Sequence, residues 1–271
     1  CVKLIKKEVI EHIYDENSVE NEIIEALRDN RVEVFYQPIY NTKTHKFTSA
    51  EALVRIRSRE GNIIPPGRFI AVAEKRGLIL SLGERVFEIV CRFIVQHDIH
   101  AMGIEYIECN LSVVQCAYDY LAQDFIAIME KYHVDAKDIV LEITESASIT
   151  EKKILLDNMN ALRKVGVRVA LDDFGTGRSN LSYIDDMPID FVKFDKGMTN
   201  AYFDNGKGKP VMDAAMGMIQ KLKLEIVAEG IEEKEQFAKL DELGIDYIQG
   251  YYFSKPRNAA EFISFIESNN A

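Results

Sequence analysis

The sequence predicts an α/β fold, a (β/α)8 TIM-like barrel with an antiparallel first strand, and three observations carry that expectation. Eight short β-rich runs recur from residue 33 onward. Amphipathic helical stretches separate most of them, the alternation that gives parallel strand pairing with helices layered outside. The first two runs, however, are joined only by residues 41 to 49, and a parallel crossover needs a dozen or more. That connection reads as a hairpin through Asn41-Thr42-Lys43-Thr44-His45, so the first strand should oppose the second. An open doubly wound sheet is the alternative arrangement.

Taken in order, residues 1–30 are polar and helix-prone, with Ile10, Ile13, Ile23, Ile24 and Leu27 at loosely helical spacing. Asp15-Glu16-Asn17-Ser18 interrupts that pattern and would cap a second helix. Residues 1–17 therefore read as a linker helix from an upstream module, and 18–271 as the domain. A first residue of Cys1 rather than Met fits a piece of a longer protein. The strand runs are 34–40, 50–56, 104–112, 139–146, 167–174, 191–195, 225–231 and 247–253. The helical stretches are 69–76, 84–97, 122–132, 154–165, 211–222 and 234–243.

With 271 residues, 47% of them hydrophobic, the chain can bury the core of one barrel. A net charge of −11 argues against broad contact with a DNA or RNA duplex or an anionic membrane. It leaves an anionic substrate open, because gathered carboxylates can hold cations that invert the local field. No apolar run is long enough for a membrane span, and no secretory signal opens the chain. Cys1, Cys91, Cys109 and Cys116 form no C-x-x-C pair and read as reduced thiols of a cytoplasmic protein.

The chemistry lies in the strands. A parallel barrel strand should be nearly continuous Val, Ile and Leu. Here the runs carry Glu51, Asn110, Glu142, Asp172, Asp173, Lys193, Glu229 and Gln249, most of them late in the run. Buried charge is costly unless paired or bound to metal, and the C-terminal mouth of a barrel is where active sites are built. Strand alternation puts Glu108, Asn110 and Ser112 on one face, Glu142 with Thr144, and Lys193 with Asp195. Carboxylates and an amide without His or Cys suit Mg²⁺, Mn²⁺ or Ca²⁺. The adjacent Asp172 and Asp173 would let one carboxylate bridge two ions, which clamp an in-line displacement at phosphorus. Lys193 would orient or deprotonate the attacking water, neutralise a phosphoryl oxygen, or simply pair with an aspartate. Gly175-Thr176-Gly177 lacks the remainder of a nucleotide-binding fingerprint and reads as a mobile loop. None of His12, His45, His97, His100 and His133 falls in the polar set.

Glu51-Ala52-Leu53 followed by Val54-Arg55 resembles the signature of the EAL-domain phosphodiesterases, which linearise cyclic di-GMP. The likeness runs from about Ser18 to Pro256, through Tyr36-Gln37-Pro38-Ile39, Asn110-Leu111-Ser112, Glu142-Ile143-Thr144-Glu145-Ser146, Asp172-Asp173-Phe174-Gly175-Thr176-Gly177, Lys193, Ala228-Glu229-Gly230-Ile231-Glu232 and Gln249-Gly250-Tyr251. The resemblance implies that 18–271 is an EAL-type phosphodiesterase domain making linear pGpG with two Mg²⁺ or Mn²⁺ ions, Ca²⁺ being inhibitory. It implies Glu51, Asn110, Glu142, Asp172, Asp173 and Glu229 as metal ligands, with Glu51, Lys193 and Glu229 catalytic. Gln37, Arg55, Asp195 and Gln249 would bind the dinucleotide, Gln249 and Glu232 would complete the shell, and Glu145 would hold the loop after Asp173. It also implies a homodimer under an upstream sensor domain, and an antiparallel first strand. Ile56, Arg178 and Lys196-Gly197-Met198 stand where Trp, Tyr and an Arg-Ser-Phe-like sequence are common, which bears on dimer packing and loop dynamics. A receptor that binds cyclic di-GMP without cleaving it is the alternative function.

Overall fold

The short first connection decides the topology. β1 (Val32–Asn41) and β2 (Lys46–Arg57) pair antiparallel, from Val32 opposite Ile56 to Asn41 opposite Lys46. Asn41 closes the turn: its Oδ1 accepts from the backbone N–H of Lys43 at 2.9 Å and of Thr44 at 3.1 Å. His45 completes the reversal with a φ of 56°.

The computed structural model describes residues 7–144, 152–175, 184, 187–204 and 206–270, with side chains from residue 15. After β3 (Ile63–Ile64) come β4 (Tyr106–Leu111), β5 (Ile139–Thr144), β6 (Arg168–Phe174), β7 (Phe191–Phe194), β8 (Glu225–Ala228) and β9 (Tyr247–Ile248). The sheet order is β1-β9-β8-β7-β6-β5-β4-β2-β3, and the extra β1–β2 pairing closes it into an eight-stranded barrel. β2 and β4 through β9 run parallel; β1 opposes both of its neighbours. β3 adds antiparallel to the far end of β2, outside the ring. The open-sheet alternative is thereby excluded.

Around the barrel stand α1 (Lys7–Arg28), α2 (Ile70–Lys75), α3 (Ile79–His97), α4 (Val113–Cys116), α5 (Leu121–Tyr132), α6 (Lys152–Val165), α7 (Lys196–Phe203), α8 (Gly208–Lys221), α9 (Lys234–Glu242) and α10 (Ala259–Asn270). The six expected helical stretches form, and α4, α7 and α10 were not foreseen. The expected break at residues 15–18 does not occur, since α1 runs through it. These polar residues face α2 instead of capping: Glu16 pairs with Lys75 at 2.7 Å, and Asn17 accepts from Arg76 at 3.0 Å. On the other side of the helix Val19, Ile23 and Ala26 are buried.

Alternation along each strand splits the core into two shells. Outward-pointing residues such as Leu141, Val169 and Val192 join Phe87, Phe125 and Met159 of the surrounding helices in the main cluster. Inward-pointing Ile39, Tyr106, Val140, Ala170, Phe191, Val227 and Tyr247 make a separate apolar plug inside the barrel. Each aliphatic side chain so buried contributes about 1.5–3 kcal/mol. Cys91, Cys109 and Cys116 are buried free thiols within the main cluster. Among the described residues no helix is long and apolar enough to cross a membrane.

Candidate active site at the barrel mouth

The six plug residues on the parallel strands are each followed, two positions later, by a polar residue. Tyr106 leads to Glu108, Val140 to Glu142, Ala170 to Asp172, Phe191 to Lys193, Val227 to Glu229 and Tyr247 to Gln249. Two residues is the strand period, so these side chains share the plug's inward face, one layer nearer the C-terminal ends. From β2, Glu51 lies opposite Glu108, and from β1, Gln37 lies opposite Glu51. A polar layer thus rests on an apolar floor.

Lys193 stands in the middle of it and is fully buried. Its Nζ lies 2.6 Å from Glu142 Oε1, 2.8 Å from Glu229 Oε1 and 3.3 Å from Glu108 Oε2. Burial opposes the ammonium, but Glu142, Glu229, Glu51 and Glu108 outweigh it and hold the Lys193 pKa well above its ordinary value. One cation cannot balance six acids (Glu51, Glu108, Glu142, Asp172, Asp173 and Glu229). Burial, only partly offset by Lys193, pushes Asp172 up to about 6 and Glu229 to about 8, and carries Glu142 well above the carboxylate range.

Glu51 is held from both sides: Asn110 Nδ2 donates to Oε1 and Gln249 Nε2 to Oε2, each at 2.7 Å. Asp172 and Asp173 lie on a bulge: with Leu171 opposite Val192 and Phe174 opposite Phe194, these two residues of β6 face the single Lys193 of β7. Simple alternation would turn Asp173 away from the mouth. The bulge, with Asp173 in the left-handed region at φ 57°, keeps it among Asp195, Lys193 and Glu51, whose charges it feels. The Asp173 N–H donates to Asp172 Oδ1 at 2.8 Å, fixing that carboxylate. After Glu229 the chain turns on Gly230 at φ 72°, where a Cβ would meet the Lys196 side chain at 2.5 Å.

As the side chains stand, no three His, Cys, Asp or Glu groups among the described residues close around a point suited to a metal ion. The reason is local. Lys193 takes Glu142 and Glu229, and two amides take both oxygens of Glu51. The donor set nevertheless fits a hard divalent cation, being all oxygen, and Glu142 Oε2 and Gln249 Oε1 are buried without hydrogen-bond partners.

The remaining expected residues spread around the rim. Gln37 Nε2 donates to the Ser254 carbonyl at 3.1 Å. Arg55, on the Glu51 face of β2, is half-buried 5.5 Å from the Phe35 ring centre, and burial lowers its pKa. Asp195 is an N-cap: its oxygens accept from the Gly197 and Met198 N–H groups, each at 2.8 Å, which also sets the entry to α7. Glu232 is exposed and pairs with Lys196 at 2.5 Å. Glu145, Arg178 and the Thr176-Gly177 loop lie outside the described residues. A cavity of about 470 Å³ opens beside Glu51 and Asn110, walled by Leu53, Ile70, Leu82 and Ser112. Sequence reading left Glu108 out of the site. Its signal was present, as an acidic residue inside a β-rich run two positions before Asn110.

The fold and mouth define a barrel of the TIM type with an acidic, lysine-centred site. A sequence model of the EAL domain matches residues 20–256, and the chain belongs to that family. It is 32% identical over 247 residues to the signaling protein YkoW of Bacillus subtilis (strain 168), covering 89% of this chain and 30% of that protein. It is 31% identical over 247 residues to the probable cyclic di-GMP phosphodiesterase PdeN of Escherichia coli (strain K12), covering 91% of this chain and 47% of that one. The chain therefore spans less than half the length of these relatives. The solved EAL enzyme Bd1971, in its cAMP- and cyclic-di-GMP-bound form, superposes with a TM-score of 0.87 at 30% identity, over 94% of this chain and 70% of that one.

Proposed function

We propose that the barrel mouth hydrolyses one phosphodiester of cyclic di-GMP to give linear pGpG, with two Mg²⁺ or Mn²⁺ ions held by the mouth carboxylates. The observation that carries this reading is the polar layer itself. Six acids and two amides gather around a buried lysine over a dry floor, with no imidazole or thiol among them. The names of the relatives supply the substrate class.

Glu51, Asn110, Glu142, Asp172, Asp173 and Glu229 would hold the ions, and Gln249, whose Oε1 is buried without a hydrogen-bond partner, would complete the shell. Bound there, the ions would polarise the phosphoryl oxygens and lower the pKa of the attacking water. Lys193, kept as an ammonium by its carboxylates, would orient that water by donating a hydrogen bond and would offset charge gathering on the phosphoryl group. The water oxygen bonds to phosphorus, the bond to the 3′ oxygen breaks, and the water's proton leaves to solvent while the 3′ oxygen gains one. Arg55 at the rim would meet the phosphate, Gln37 and Asp195 would line the dinucleotide, and the cavity beside Leu53 would take a base. Glu145 would hold the loop after Asp173, and Glu232 would complete the shell with Gln249. The same reading includes a homodimer in the cytoplasm under an upstream sensing module.

The test is incubation of the purified domain with cyclic di-GMP and Mg²⁺ or Mn²⁺, products being separated by chromatography. Linear pGpG should appear, vanish with excess chelator and return with either ion. Ca²⁺ should permit binding with little turnover, because its longer, looser coordination places the water poorly. Binding without cleavage under every metal would instead make the domain a receptor.

A further inference from the structure

Glu108 is the one acid of the polar layer with no part in the function proposed above, and it is fully buried. Neither of its oxygens has a hydrogen-bond partner, an expensive arrangement for a carboxylate. Its nearest cation is Lys193, 3.3 Å from Oε2. Lys193 meanwhile has closer partners in Glu142 and Glu229, at 2.6 and 2.8 Å. Both of those belong to the set proposed to hold cations, and a carboxylate whose charge is engaged by a divalent ion attracts an ammonium less. In register Glu108 stands opposite Val140 of the floor, and Asn110 stands opposite Glu142, so Glu108 lies deeper than Glu142.

We infer that Glu108 is a positioning residue, the carboxylate that keeps the Lys193 ammonium in place once Glu142 and Glu229 are engaged by cations. This inference rests on the proposed function for its metal-bound state. It gives the buried acid a role: the longest of the three ion pairs to Lys193 becomes the principal one when its competitors turn to the ions. The lysine then keeps one fixed tether from below and points its remaining N–H groups up into the mouth.

The experiment follows the Lys193 ammonium directly, by ¹⁵N NMR of lysine side chains, with the resonance assigned by its loss in Lys193→Arg. In the wild type the signal should survive saturation with Mg²⁺. In Glu108→Gln it should survive without metal, where Glu142 and Glu229 still hold the lysine, and broaden or vanish on adding Mg²⁺. Steady-state kinetics of the same variant with cyclic di-GMP should show kcat lowered about 10–100-fold, the usual scale for losing a supporting contact, with KM changed less than threefold. A Glu108→Gln signal that stays sharp in Mg²⁺ overturns the inference, and so does an unchanged kcat. If Glu108→Gln does not fold, the wild-type titration decides alone: loss of the Lys193 signal at saturating Mg²⁺ overturns it. If wild-type protein binds Mg²⁺ and keeps the signal yet cleaves no cyclic di-GMP, the proposed function fails while the tether stands.

Discussion

Loading the mouth with Mg²⁺ should expel protons, and the number follows from the burial of its acids. Glu229 is pushed up to about 8 and Asp172 to about 6 by desolvation that Lys193 only partly offsets. At pH 7 the metal-free Glu229 then carries about 0.9 proton and Asp172 about 0.1, and both must leave before the oxygens can coordinate. Burial raises Glu142 as well, opposed by the Lys193 charge beside it. Release should therefore total about one proton per loaded site at pH 7 and fall by pH 9 as Glu229 empties. Apparent Mg²⁺ affinity should rise about tenfold per pH unit from pH 6 toward 8, because protons compete for the same oxygens. The sign for stability is opposite. A carboxyl whose folded pKa lies above its unfolded value stabilises the fold fully below the unfolded pKa, 4.5 for Glu229, and that contribution is lost as pH rises through about 8. The metal-free domain should thus melt lower at pH 8.5 than at pH 5.5, and Mg²⁺ should raise the melting temperature more at the alkaline end. Calorimetric titration of Mg²⁺ in buffers of different ionisation enthalpy measures the proton count. An enthalpy independent of buffer at pH 7 would refute the reasoning, since it means that no proton leaves.

Asp172→Asn should lose both Mg²⁺ binding and turnover, whereas Lys193→Ala should keep cyclic di-GMP binding within several-fold and lose mainly rate; calorimetry beside kinetics separates the two. Lys193→Ala should also melt lower, because removing one partner of a buried ion pair costs about 3–5 kcal/mol before the stranded acids take up protons. Gly250→Ala would put a methyl group 2.0 Å from the Ile231 carbonyl oxygen, so urea unfolding should show a loss of about 2–4 kcal/mol, with weaker Mg²⁺ binding as Gln249 shifts. Asp195→Ala removes a cap and should cost about 1 kcal/mol in the same assay. A larger rise in KM than that loss explains would assign Asp195 to the substrate. Glu145→Ala should keep the fold but weaken Mg²⁺ affinity and turnover about 10–100-fold, with partial rescue at high Mg²⁺.

The barrel was legible because its determinants are local. Hydrophobic periodicity marks most of the strands and helices, and a nine-residue connection that cannot cross over forces β1 antiparallel to β2. The site acids were legible for the same reason, since charge in a buried strand stands out against its neighbours. Helices α4, α7 and α10 were harder to see. Residues 113–116 form a single turn held by the Ser112–Gln115 capping box, and α7 begins only because Asp195 caps it. α1 runs on through residues 15–18 because α2 supplies Lys75 and Arg76 as partners, a contact invisible from either segment alone.

By itself, then, the sequence determined strand order, the inward period-two series that stacks Glu142, Asp172, Lys193 and Glu229 over an apolar plug, and the antiparallel entry. These depend on residue type and spacing within a single strand or turn. The tertiary structure decided which acids share the lysine, that a bulge in β6 breaks the alternation at Asp173, and that Glu108 sits 3.3 Å from Lys193 with no hydrogen bond to its oxygens. Those are distances between different strands, set by the register and shear with which the barrel closes. No pattern along one strand contains them.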